Sequence, residues 1–422
     1  MAIPEKEVRA VERGPIRAGD YLPFYQLLIL GLQHTFTMFG ATVLVPILTG
    51  FDVGVSLLTA GISTLWFHFV TRGRVPVFLG SSFAFIAPLA IVVQKYGVAD
   101  SLSGVIAGGL LYVVMSFFIY KLGPDFIEKI FPPIVTGPII MVIGLSLAPV
   151  AIQNASTNWT IAFIVLITVI IVNIFGKGII KLIPVIIGLS VGYVVSLIMG
   201  VVDLTPIYNA KWLAMPQIAF PKFNPAAIAI IAPAAIAPLV EHVGDILAIG
   251  ATVEEDFIKD PGIHKTMFAD GTSTIISAFL GGPPKTTYSE NTGVLALTKV
   301  WKPQVMWIAA IVAILLSFVQ KLSVAISTIP NAVIGGISIV LFGMIASIGV
   351  RTVVENDIDF TDSRNLIIAS VVLVLGIGGA MIKIGNSFEI GGMGLAAIVG
   401  VVLNQILPKN KNKYEETALS NK

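Results

Sequence analysis

The chain contains no cysteine, which excludes disulfide bridges, thiolate metal sites and thiol nucleophiles together. Charge is scarce as well. Asp, Glu, Lys and Arg make up 12% of the 422 residues, about half of the ~25% usual in soluble domains. So little charge cannot cover a folded core with solvated side chains. The formal net charge of +2 carries no message about nucleic acid, and no such partner is expected. Enzyme signatures are missing too. There is no G-x-x-x-x-G-K-[ST] phosphate loop, no Ser–His pair in an elbow context and no pair of Asp-rich diphosphate motifs. No enzyme activity, cofactor or metal is expected.

What the chain has is apolar surface: 56% hydrophobic residues and a mean hydropathy of +0.92. Apolar blocks of roughly 17–25 residues, each long enough to cross a hydrocarbon core, recur from residue 24 to 407. A closed β-barrel would instead alternate polar and apolar positions over about ten residues. The expected class is therefore an all-α polytopic membrane protein. Breaks at charged, Pro and Gly clusters divide it into about fourteen spans. The first seven are 24–49, 54–71, 76–94, 101–120, 131–150, 159–176 and 179–200. The second seven are 226–251, 263–281, 284–299, 303–320, 328–349, 365–381 and 391–407. Residues 1–23 lack the apolar core of a signal peptide and read as a cytoplasmic tail, as do 408–422.

Lys and Arg set the orientation. With the N-terminus inside, twenty of the 26 basic residues fall on the inner side and six outside. Both termini are thus expected in the cytoplasm. Self-similarity appears at an offset near 200 residues: "FGATV" at 39–43 echoes "IGATV" at 249–253, and "FPPIVTG" has the Pro–Gly spacing of "IPNAVIG". "LGSSFAF" at 79–85 corresponds to "TTYSENT" at 286–292. These matches predict two seven-span repeats, 24–200 and 226–407, inverted because seven is odd. Inverted repeats with interrupted helices are the architecture of many secondary transporters.

Four carboxylates fall inside the predicted spans: Glu241 and Asp245 in span 8, Asp270 in span 9 and Glu290 in span 10. An acid at the bilayer centre costs about 2.5–3.5 kcal/mol on insertion scales, so it faces a protein interior or a water cavity. Glu241 and Asp245 are four apart, share a helix face and form a protonatable pair. A structural salt bridge is the competing reading, but no Lys or Arg is counted inside a span nearby. His34, about 210 residues before these acids, is placed to reach them, either as a proton relay or as a helix–helix polar contact. His242 points elsewhere on the helix and reads as structural.

Spans 3 and 10 are the least helical. Gly80, Ser81 and Ser82 precede Phe83, and Pro88 begins the segment beyond; Pro283 and Pro284 precede Thr286, Thr287 and Tyr288. Both read as a short strand passing into a half-helix, the two strands pairing to satisfy backbone that lipid cannot. Free amides at the half-helix starts suit carbonyl oxygens of a ligand. Glu241 and Glu290 accept from ligand N–H groups, and Phe83 or Tyr288 stacks on a flat ring. Such a site matches a planar, amide-rich heterocycle.

The segment "ENTGVLALTK" (290–299) resembles the signature of the nucleobase–ascorbate transporter family, also called nucleobase:cation symporter-2, with Glu290, Asn291, Gly293, Thr298 and Lys299 in place. "LQHTFTMFGATVLVP" (32–46), "GSSFAFIAP" (80–88), "EHVG" (241–244) and "DPGIHKTMFADG" (260–271) are similar to its bacterial uracil permease branch. The resemblance spans nearly all of 24–407. It implies fourteen spans arranged as a core domain (24–120 and 226–320) and a gate domain (131–200 and 328–407), commonly in homodimers, with the core moving like an elevator. It also implies a uracil:proton symporter of the plasma membrane. Glu241 and Glu290 would hold the pyrimidine, with the amides of Phe83 and Ser289 on its carbonyls and Ser82 and Tyr288 beside it. Glu241, Asp245, His34 and Asp270 would serve proton coupling. Asp245 stands where one uracil permease has His, and Ser289 where that branch often has Gly. A purine carrier is the nearest alternative, and an anion exchanger of the same fold is a more distant one.

Overall fold

Some helices begin at a side-chain cap, and several end where glycine or a left-handed residue turns the chain. The computed structural model describes residues 14–384 and 388–408. The greater part of both expected tails, 1–13 and 409–422, lies outside the described residues. In the first half, α1 (Phe24–Thr49) ends at Gly50, whose φ of 79° is left-handed. Next comes α2 (Val53–Val70), capped by Asp52 Oδ1 on the Val55 amide at 2.7 Å. Strand β1 (Leu79–Ser81) and a 3-10 turn (Phe83–Phe85) lead into α3 (Ile86–Tyr96), followed by α4 (Val98–Leu122). The half closes with α5 (Pro133–Ser146), α6 (Ala148–Ser156), α7 (Trp159–Phe175) and α8 (Pro184–Ile198).

The second half repeats this order. It runs α9 (Pro225–Ile231), a 3-10 turn, α10 (Ile236–Val253) and α11 (Ile263–Phe279). Strand β2 (Lys285–Thr287), α12 (Ser289–Thr298) and α13 (Pro303–Ser317) come after it. Then come α14 (Asn331–Glu355), α15 (Ser363–Ile377), β3 (Met381–Ile384), β4 (Phe388–Gly391) and α16 (Gly392–Ile406). Among the described residues, six helices are long and apolar enough to cross a membrane, and six shorter helices are apolar.

Packing shows the duplication more clearly than the sequence does. The pair α4–α11 has its counterpart in α13–α2, α1–α13 in α9–α4, and α5–α15 in α14–α7. At the centre, Ser63 and Ser273, 210 residues apart, each donate a hydroxyl to the other's carbonyl at 3.2 Å. Gly109 and Gly271 approach so closely that a Cβ on either would meet the other's carbonyl oxygen at 2.7 Å. The strands β1 and β2 are antiparallel, as a twofold relation between the halves requires.

Three local features go beyond the expected spans. Span 5 is divided at Leu147 into α5 and α6, beside Pro149, whose ring leaves no amide to continue the ladder. An antiparallel hairpin, β3–β4, precedes α16 where only a connection was expected. Residues 14–23, expected within a tail, pack against the rest of the chain: Ile16 bridges Val300 in parallel, and Leu22 is buried in the core.

Candidate functional site

The strand crossing is the frame of the site. Leu79 pairs with Thr287, Gly80 with Thr286 and Ser81 with Lys285. Two further backbone bonds extend the ladder, Ser82 N to Pro284 O at 3.1 Å and Tyr288 N to Phe78 O at 3.0 Å. All six strand residues are buried, so this mutual pairing is what makes extended backbone tolerable there. Gly80 is required by contact. A Cβ there would overlap the ring of Tyr288, whose hydroxyl donates to Ser81 O at 2.9 Å. Tyr288 is therefore held as a brace of the crossing, with its ring at the edge of the cavity beside it.

That cavity has a volume of about 300 Å³. One wall is polar: Ser82 and Phe83 from the first break, Glu241 from α10, and Tyr288, Ser289 and Glu290 from the second break. The facing wall is aliphatic, including Ile140 and Ile143 of α5 with Leu341 and Ile345 of α14. Glu241, Ser289 and Glu290 are exposed to this space while His242, Tyr288 and Asn291 beside them are buried. All six residues predicted to bind substrate line the one cavity. The starts of the 3-10 turn at Phe83 and of α12 at Ser289 lie on the same polar wall, where first-turn amides have no partner within the helix.

Behind this wall lies a second polar layer. Asp245 accepts from Ser289 Oγ at 2.8 Å and from Thr287 Oγ1 at 3.0 Å. Asp270 contacts His242 Nδ1 at 3.0 Å and accepts from the Thr287 amide at 3.4 Å. His242 Nε2 meets Thr266 Oγ1 at 3.0 Å. Thr287 thus touches both buried acids from one strand position. Glu241 and Asp245 share a helix but divide their tasks: the first faces the cavity and the second the strand.

One reading of a single residue is corrected, and another gains its partners. His242, read as structural, is buried against Asp270 by the packing of α10 on α11. Lys285, counted as an outer-loop cation, is 0% exposed in β2, and its ammonium donates to Ser56 O and Ser81 Oγ, each at 2.9 Å. The competing salt-bridge reading overlooked it, although both of these acceptors are uncharged. The available signals were a His and an Asp in separate apolar segments, each needing a buried partner, and a Lys inside a predicted span.

His34 bonds Asn291 rather than either acid of α10, its Nδ1 lying 3.0 Å from Asn291 Nδ2. The signature residues accordingly do structural work. Asn291 ties α12 to α1, Thr298 bonds back to Val294 O at 2.8 Å near the helix end, and Gly293 keeps the surface facing Leu182 open.

Two discontinuous spans crossing at buried strands, with carboxylates and half-helix ends around a central cavity, define a secondary-transporter type of membrane protein. Residues 25–384 match the Permease family. The chain belongs to this family, the nucleobase:cation symporter-2 transporters, and is a multi-pass membrane transporter rather than an enzyme. It is 44% identical over 410 residues to the uracil permease of Bacillus caldolyticus, covering 93% of this chain and 95% of that one. It is 43% identical over 405 residues to the uracil permease of Escherichia coli K12, covering 93% and 94%. Its fold is similar to that of SLC26A9, with a TM-score of 0.68 at 13% identity, covering 96% of this chain and 69% of that protein.

Proposed function

We propose that the chain imports uracil together with protons across the plasma membrane of a prokaryote. The observation that carries this reading is the two-sided cavity. Glu241 and Glu290 face it beside the amide ends at Phe83 and Ser289, opposite an aliphatic wall. A pyrimidine ring offers N–H groups to the carboxylates, carbonyl oxygens to the amides and a flat face to Phe83. The relatives named uracil permeases support the choice of base.

In this reading fourteen spans cross the bilayer with both termini cytoplasmic. Residues 24–120 and 226–320 form a core that carries the site, and 131–200 with 328–407 form a gate, in a homodimer. The core slides past the gate's aliphatic wall, which offers no polar groups to hold the ligand in place. Glu241 takes up the proton that neutralises the loaded site. Asp245 and Asp270, bonded through Thr287, form the layer through which protonation is felt at the strand crossing. His34 acts through its grip on Asn291.

Labelled uracil uptake into proteoliposomes, driven by an imposed pH gradient, tests the reading. Uptake that ignores the gradient removes proton coupling. Stronger competition by xanthine than by unlabelled uracil favours a purine carrier, and bicarbonate or sulfate exchange without nucleobase uptake favours an anion exchanger.

A further inference from the structure

The helices bearing the two cavity carboxylates, α10 and α12, both end in a non-glycine residue with left-handed backbone: Glu254 at φ 57° and Lys299 at φ 52°. One short segment of the N-terminus reaches both ends. The Ile16 amide donates to Lys299 O at 2.9 Å, and the Trp301 amide donates back to Ile16 O at 2.8 Å. Arg17 then pairs with Glu254 at 2.9 Å, its guanidinium lying 5.6 Å from the centre of the Trp301 ring. The segment is itself shaped by Asp20, whose Oδ2 accepts from the Arg17 amide at 2.7 Å. Finally, the Lys302 ammonium donates to Ala18 O at 2.8 Å and to Asp20 O.

The contacts differ in weight. Arg17 and Glu254 are about half exposed or more, so their attraction is screened and small. Lys302 is only 6% exposed, and an ammonium so buried needs its acceptors. The backbone pair at Ile16 is independent of both. A tail resting on the surface by chance would not supply acceptors to a buried lysine.

We infer that residues 16–20 are a brace that fixes the inner end of α12 relative to that of α10, and thereby the spacing of Glu290 and Glu241. Arg17, Lys302 and the Ile16 backbone are positioning groups: none touches the ligand site. The brace rests on the reading of Glu241 and Glu290 as a ligand-holding pair, and it explains why those helices, joined through separate loops, keep one geometry as the site moves. Small misplacements of paired groups are costly, up to ~10²-fold in activity for about 1 Å.

The absence of cysteine permits a direct test in the full chain. Nitroxide labels on Thr252→Cys and Leu297→Cys report the distance between the two helix ends by pulsed EPR. With the brace intact, one narrow distance distribution is expected. Lys302→Met should broaden it and weaken uracil binding by about tenfold, and Lys302→Arg should restore both. Arg17→Glu should broaden it as well, because the Arg17–Glu254 pair is the contact that reaches the end of α10, and adding Glu254→Arg should narrow it again, which covers the case in which Lys302→Met fails to fold. An unchanged distribution in Lys302→Met and Arg17→Glu overturns the brace, as does broadening without any loss of affinity. If the chain with an intact brace does not bind uracil, the proposed function fails, while the distances still decide whether the brace exists.

Discussion

The Ser289 hydroxyl donates to Asp245 Oδ1 across 2.8 Å, joining the first residue of α12 to the helix that carries Glu241. Ser289 and Asp245 are two of the positions singled out in the sequence, and because they meet they act as one arrangement. Asp245 can accept what Ser289 offers, whereas a glycine at 289 would leave that carboxylate oxygen without this donor.

This pairing predicts non-additivity. Ser289→Ala and Asp245→Asn should each lower uracil uptake, and the double variant should be little worse than the more damaged single one. A hydrogen bond to a charged group is worth about 1.5–3 kcal/mol, so the coupling measured in a double-mutant cycle should approach that size. Simple addition of the two effects would show that the contact carries no function.

The cavity carboxylates should be essential for transport and dispensable for folding. Glu241→Gln and Glu290→Ala should each abolish uptake in proteoliposomes while leaving the thermal midpoint near that of the parent, because both side chains face open space. Full transport by either variant would sink the assignment of the site.

The opposite pattern is expected one layer back. His242→Ala leaves the buried Asp270 without its ring partner, and an unsatisfied buried polar group costs about 1–3 kcal/mol, more when charged. The thermal midpoint should fall, and Asp270→Asn should fall less because an amide can still bond the ring. Unchanged stability in His242→Ala would mean that the pair contributes little to the fold.

Gly80 should tolerate no side chain while Tyr288 keeps its ring. Gly80→Ala drives a methyl into that ring, and overpacking of this kind costs about 1–3 kcal/mol. Adding Tyr288→Ala should recover folded protein, seen as a monodisperse peak on size-exclusion chromatography, without recovering uptake. Failure of the second change to rescue the first would place the strain elsewhere.

Lys285 should behave as a clamp between the halves. Lys285→Met removes the bonds to Ser56 O and Ser81 Oγ and leaves both acceptors buried. A lower thermal midpoint together with weaker uracil binding is expected, since Ser81 ends the strand that leads into the turn presenting Phe83. Unaltered affinity would confine Lys285 to stability.

By itself the sequence determined the class of the molecule. Apolar blocks long enough to span lipid, four acids among them and two Pro- or Gly-marked interruptions are local properties, and local properties can be read along a chain. For the same reason the strand-to-helix breaks at Ser81–Phe83 and Thr287–Ser289 were legible residue by residue, and so were Glu241 and Glu290 as a pair lining one cavity. The partners of polar side chains were not. His34 bonds Asn291, His242 bonds Asp270, Lys285 reaches Ser56 and Lys302 holds the carbonyls of residues 18 and 20. The first, third and fourth of these contacts join segments far apart in the chain, and the second forms only where α10 packs on α11. A buried polar group requires a partner wherever one can be found, and its own neighbours in sequence do not say where. Tertiary structure made that choice, and it set residues 16–20 against the ends of α10 and α12.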